Sequence, residues 1–234
     1  MDSLKKFLTI KKADMSTRIN TNGFRFSGRT YHRKGAHGVQ MGSYGIKHLL
    51  RGFSHFSYVK DVEELELDSL EAIRLSQMSN SEINTILEGK PKWIPSKGDA
   101  SIELSMQRIR DYDLELKRFS IKSRNRLMEI INADEECLEV LRRRRSRIVD
   151  TIWVILDAKI ESSVTTGGEM KMQMDAAKGL VKLRGHTGGE FSREIDLEIG
   201  ADTVFAYRML RPQFRGRKRE GKVNFLRADY RGLF

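Results

Sequence analysis

The sequence predicts an α+β fold: a twisted antiparallel sheet with long amphipathic hairpins and a few flanking helices. Three observations predict it. Apolar and polar residues alternate with a period of two through 62–116 and again through much of 152–210. Between these stretches, residues 120–143 repeat apolar side chains at helical spacing. The turn-forming tetrapeptide Thr-Gly-Gly-Glu occurs twice, at 166–169 and 187–190.

In chain order, residues 2–12 are expected to form a short amphipathic helix, with Leu4, Phe7 and Leu8 on one face and Lys5, Lys6, Lys11 and Lys12 around it. Residues 20–57 read as loops and short strands with aromatic contacts. Leu65, Leu67, Ile73 and Leu75 then begin the first alternating stretch. Its longest run is 101–116, where Ile102, Leu104, Met106, Tyr112, Leu114 and Leu116 share one parity while Arg108 and Arg110 interrupt it. Pro91 and Pro95 around Trp93 mark a loop between the halves of this first hairpin, near 70–116. The helical region breaks at Asn132-Ala133-Asp134 and ends in the run Arg142–Arg145, whose cations suit a helix C-terminus or a lipid or subunit contact.

A second hairpin is expected over 150–184. Ile152, Val154, Leu156, Ala158 and Ile160 give the apolar face of its first strand, and Met170, Met172 and Met174 that of its second. The phase slips after Ala176, as a one-residue bulge would produce, so that Val181 and Leu183 carry the apolar side onward. With the strand 191–199 this makes a three-stranded meander, and a last strand follows at 202–210. Residues 1–207 form the domain and 208–234 a basic tail.

The 234 residues carry a net charge of +11, unevenly spread. Residues 1–60 hold 12 Lys/Arg against 2 Asp/Glu, and residues 208–234 hold 9 against 2, while the middle is neutral or acidic. Such basic ends attract polyanions, either nucleic acid or an anionic membrane surface. No run of 18 apolar residues gives a transmembrane helix, and no signal peptide is visible. The single cysteine, Cys137, excludes an internal disulfide and fits a reducing, cytoplasmic setting; its place on an apolar helix face reads as a buried thiol.

Catalytic chemistry finds no support. His32, His37, His48, His55 and His186 do not fall at metal-ligand spacing, and the glycines of KGAHGVQMGSYG lack the Gly-Lys-Ser/Thr ending of a phosphate loop. No catalytic residue, metal or cofactor is expected. The hairpins are the sharper clue, because a membrane-spanning strand needs about 9–11 residues alternating lipid-facing apolar with lumen-facing polar side chains. The same alternation also serves a soluble sheet with one face on its core.

The segment REIDLEIGADTVFAYRML, residues 193–210, resembles the end of the pore-forming domain of gasdermins. Leu197, Glu198, Ile199, Thr203, Ala206 and Tyr207 match the pattern, and Gly200 stands where that family has proline. ECLEVLRRRRSRIVDTIWVI looks like the family's helix leading into its second hairpin, and KKFL at 5–8 like its basic first helix. The resemblance is closest to short fungal gasdermin-like cell-death proteins, which are triggered when two incompatible variants meet. The lipidated N-terminal cysteine of bacterial members is absent from this sequence.

The resemblance implies acidic phospholipids as partners, homo- or hetero-oligomers with an allelic variant, and a transmembrane β-barrel. It implies a protein that is cytoplasmic when inactive and at the plasma membrane or another acidic membrane when assembled. Lys5, Lys6, Lys11 and Lys12 would meet headgroups, with Arg51, Phe53 and Phe56 as a second membrane-touching loop. Ile152, Val154, Leu156, Ile160, Met170, Met172 and Met174 would face lipid, so a charge at Met172 or Val154 is expected to abolish permeabilisation. The alternative is a basic structural protein, like a viral matrix or nucleocapsid protein, coating membrane or nucleic acid.

Overall fold

A computed structural model describes residues 18–19, 22–36, 38–50, 53–61, 65–94, 101–157, 170–175, 180–186, 194–200, 203–215 and 221–229. The expected helix at 2–12, with Lys5, Lys6, Lys11 and Lys12, lies outside these residues, as do Arg51 and Ile160. The chain opens with β1 (Arg18–Ile19), β2 (Gly23–Phe26), β3 (Arg29–His32), β4 (Ser43–Leu50), β5 (Phe53–Asp61) and β6 (Leu65–Arg74). Next come α1 (Asn80–Leu87), β7 (Lys92–Trp93), β8 (Ile102–Glu103), α2 (Met106–Asp111), β9 (Leu114–Ile121), α3 (Arg124–Ala133) and α4 (Glu135–Arg142). The remainder is β10 (Ser146–Asp157), β11 (Met170–Asp175), β12 (Leu180–His186), β13 (Glu194–Gly200), β14 (Val204–Phe214) and β15 (Val223–Asp229). The fold is α+β.

Thirteen strands form one antiparallel sheet with a main path β1-β2-β3-β14-β10-β9-β6-β11-β12-β13. Strand β15 joins β14, β4 joins β10, and β5 joins β4. The path has two ends, so among the described residues the sheet does not close into a barrel.

Each helix starts where a short polar side chain can accept from the first free backbone N–H groups. Ser79 and Glu82 make a reciprocal capping box on α1, while Ser105 and Ser123 cap α2 and α3. Asp134 ends α3 and caps α4 through Cys137 N at 3.1 Å, which is why the helical region breaks there. Arg143 leaves helical geometry, and Arg145 sits at φ 69°, turning the chain sharply into β10.

Strand β10 is the axis of the core. All twelve of its residues are buried, and apolar clusters cover both faces. Ile152, Val154 and Leu156 join the cluster under α3, α4 and β15. Trp153 and Ile155 join the other, where Phe24, Phe26 and Tyr31 meet the Trp153 ring edge-on with centroids 5.1, 5.4 and 5.5 Å away. Full burial of each such large side chain stabilises by about 1.5–3 kcal/mol.

Five expectations are corrected. The run 101–116 is not one strand: Ile102 and Glu103 are extended, Met106–Asp111 is helical, and Leu114 begins β9. Arg108 and Arg110, the interruptions of its pattern, lie in the last turn of α2, and Ile109, of the opposite parity, is its buried residue. The first hairpin is therefore β6 against β9, with α1, β7, β8 and α2 inserted between them.

The second hairpin is also rearranged. β10 pairs with β14, β4 and β9, whereas β11 pairs with β12 and β6. The phase slip at 176 is no bulge. It separates two strands, since Met174 faces Val181 and Asp175 faces Leu180 across a hairpin. The meander is β11-β12-β13 rather than 152–160 with its successors. Finally, residues 208–234 are not simply a tail: 208–214 complete β14, and β15 adds a strand to it.

Candidate functional site

The residues expected to face lipid separate into two groups. Ile152, Val154 and Leu156 stand in a central strand and are at most 1% exposed. They are core residues in this state, with β14 on one edge of β10 and β4 and β9 on the other. The sequence carried a signal for this, because Ile152-Trp153-Val154-Ile155-Leu156 is a continuous apolar run, the mark of a strand buried on both faces. Met170, Met172 and Met174 instead belong to the four-stranded band β6-β11-β12-β13 at one end of the sheet. Phe53 and Phe56 lie on β5, opposite Leu50 and Lys47, and β5 pairs with β4 rather than with that band.

The register of the band is two-sided over its central rows, with Leu180 the one apolar residue placed on the polar face. One row runs Leu67, Met170, Gly185, Ile195, the next Leu65, Met172, Leu183, Leu197, and the third Met174, Val181, Ile199. Because successive residues of a strand alternate faces, these three rows share one face and contain no polar side chain. The intervening rows run Glu66, Lys171, Arg184, Asp196 and Gln173, Lys182, Glu198 on the other face. Acids on β6 and β13 flank bases on β11 and β12, so neighbouring positions carry opposite charge, which favours this register. Leu65 and Leu67 are buried in the main core, so the apolar face of the band continues the face that β6 turns to that core.

A second feature was not foreseen: ion pairs inside the fold. Lys47 Nζ and Arg147 Nε donate to the Asp229 carboxylate at 2.8 and 2.7 Å, all three side chains being under 9% exposed. Burial alone would raise the Asp229 pKa, yet the hydrogen bonds from Lys47 and Arg147 hold it down to about 2. His32 lies beside this group, stacked on Tyr207 with centroids 5.5 Å apart. Burial and the neighbouring Lys47 cation lower its pKa to about 3, so the ring is neutral at ordinary pH. Burial likewise pushes the Tyr207 hydroxyl above its usual range.

On the same strands, Arg208 grips Asp150 through Nε at 2.8 Å and Nη2 at 2.7 Å, and Arg124 adds a third contact at 3.3 Å. Arg118 donates to the Tyr31 hydroxyl at 3.1 Å and lies over the Trp153 ring. Each of these buried charges has a named partner, as burial demands.

The structure holds a cavity of about 220 Å³ between the β3–β4 connection, α1 and β14, lined by Arg33, Lys34, Ile86, Pro91, Val204 and Phe205. Of its two cations, Arg33 is committed to the fold: it lies 4.7 Å over the Phe205 ring and donates to Thr85 O at 2.9 Å. Burial lowers the Arg33 pKa to about 10 against the opposing pull of Glu88, which leaves it charged at neutral pH. Among the described residues no cluster of His, Cys, Asp and Glu could hold a metal ion, and Cys137 is buried. Among the described residues no helix is long and apolar enough to cross a membrane, which says nothing about crossing with strands.

Comparison with known proteins returns no match, whether against family models, curated proteins or solved structures.

Proposed function

We propose that the protein is a pore-forming effector of regulated cell death, akin to the gasdermins it resembles in residues 193–210. In this reading it binds acidic phospholipids, oligomerises and inserts strands that close into a transmembrane β-barrel. Assembly with a divergent variant of the same chain is its trigger. The inactive form is cytoplasmic and the assembled form sits in the plasma membrane or another acidic membrane. No enzymatic step is required.

The observation that carries this reading is the two-faced band β6-β11-β12-β13, with three wholly apolar rows on one face and opposed charges on the other. A lipid-exposed sheet needs that separation, and barrel closure satisfies every backbone group at the membrane depth. β6, with ten residues, has spanning length. β11, β12 and β13 have six or seven, so a span also recruits residues that flank them. The inserting segment is thus re-assigned from β10 to β11–β13, with Met170, Met172 and Met174 kept and Ile152, Val154 and Leu156 released.

The test is dye release from vesicles with and without acidic phospholipid, using this protein alone and mixed with a sequence-divergent relative. Release that depends on acidic lipid supports the pore, and release only from the mixture assigns the trigger to hetero-assembly. Binding that leaves every vesicle intact would instead identify a coat-forming, matrix-like protein.

A further inference from the structure

The fold joins β15 to β14 at the sheet's rim, and the pairing sets two like charges face to face. Arg227 is the direct partner of Arg211, and Phe225 of Gln213. Opposed residues of an antiparallel pair have Cα atoms about 4.5–5.5 Å apart, and like charges there are destabilising. Both arginines are exposed, and neither makes an ion pair with a described residue. Beside them Phe225 is 55% exposed, the greatest exposure of any large apolar side chain among the described residues.

The register explains why these three share a face. Between Gln213 and Phe214 the pairing shifts, so that Asn224 is an extra residue and Val223 turns to the core with Leu226. Phe225 and Arg227 are left on the opposite side. Asn132 holds the start of β15 by two hydrogen bonds with Val223, of 2.7 and 2.9 Å, and Arg142 donates to Gly221 O. The outward face is therefore presented by a braced hairpin. Its surroundings are cationic too: Arg215 and Lys222 are exposed, and Glu220 is the only acid between Arg211 and Ala228.

We propose that this outer face of β14–β15 docks on an acidic phospholipid bilayer, with Arg211 and Arg227 sharing headgroup phosphates and Phe225 entering the interface. A phosphate between the guanidinium groups removes the repulsion that the pairing creates, and each arginine offers the donor fork that suits phosphate. Among the described residues β15 pairs only with β14, so a two-strand face at an open rim can lie against a planar surface. A nucleic-acid groove uses several stacking platforms along a basic track, whereas here a single phenyl ring stands among cations. The proposal rests on the membrane reading above and gives it a headgroup site within the described fold.

The test uses the full chain and vesicles containing phosphatidylserine, with neutral vesicles and a single-stranded RNA as comparison probes. The variants are Arg211→Gln/Arg227→Gln, Phe225→Ser, and a control, Lys122→Gln/Arg126→Gln, that loses the same charge from exposed positions at and just before α3. The double arginine variant is expected to bind acidic vesicles about thirtyfold more weakly, since each cation near such a surface contributes about fivefold. Its melting temperature is expected to hold or rise, because a repulsion has been removed. Phe225→Ser is expected to weaken vesicle binding without changing its salt dependence, and the control to stay close to the parent protein.

Equal loss in the control, undiminished binding in the double variant, or a loss confined to RNA would overturn the proposal. Dye release is scored separately. Loss of binding by the variants, with parent-bound vesicles left intact, would leave this docking face standing and remove the pore.

Discussion

Asp229 is the acid on which two buried cations depend. Replacing it by Asn leaves Lys47 and Arg147 in a site built for a carboxylate, and breaking such a pair costs about 3–5 kcal/mol. Chemical denaturation of Asp229→Asn is expected to show a loss of that order, far above the change for an exposed substitution. The neighbouring His32 gives the protein an acid-side slope. Below about 6.5 the unfolded chain takes up a proton that the folded ring refuses until about 3. Stability is therefore fully present above pH 6.5 and falls as pH drops across that interval, by up to about 1.4 kcal/mol per unit. Asp229 adds to the loss only lower, as pH falls from 3.8 towards about 2. Unfolding midpoints measured between pH 7 and 4 should show the His32 slope, and His32→Phe should flatten it. None of this network could be read from the sequence, because Lys47, Arg147 and Asp229 are distant in the chain and meet only through the pairing of β4, β10, β14 and β15.

At the scale of elements, the same chemical change separates a core strand from a proposed lipid-facing one. Val154→Asp places a carboxylate in the centre of the core and is expected to abolish folding, read as loss of a cooperative melt. Met172→Arg is expected to leave a folded, vesicle-binding protein that no longer releases dye, since a lipid-facing charge near the midplane costs about 2–4 kcal/mol per subunit. A folded Met172→Arg protein that releases dye normally would remove β11 from the barrel. Ser79→Ala, which deletes the capping box of α1, should cost about 1 kcal/mol in a denaturation curve.

Some elements were legible and others were not, for identifiable reasons. The break between α3 and α4 could be read from Asn132-Ala133-Asp134, and the alternation of β11 from its methionines. α2 was hidden because Met106 and Tyr112 happen to continue the parity of Ile102 and Leu114. α1 was overlooked although Ser79-x-x-Glu82 ahead of Ile83 and Ile86 is a readable helix start. The partner of β11 was beyond reach, because period-two patterns name a strand's faces and not its neighbours.

For the molecule as a whole, β15 turns the basic end of the chain into part of the sheet. Removing residues 223–234 would delete the core residues Val223 and Leu226 together with Asp229, so the truncated protein is expected to melt well below the full chain. A detached basic tail would leave the melt unchanged, and differential scanning calorimetry separates these outcomes. The charge asymmetry of the chain was plain from its sequence, but the face-to-face arrangement of Arg211 and Arg227 needed the register. The polar rows of the β6-β11-β12-β13 band have a consequence for transport in the proposed pore. One row sets two acids against two bases and the next one acid against one base, while the outer rows of the same face add Asp175 and Glu194, so a water-filled lumen lined by them carries a net negative fixed charge. Such a passage favours potassium over chloride, which a reversal potential displaced toward that of potassium across a potassium chloride gradient would register. Asp196→Lys in every subunit would tilt that balance toward anions.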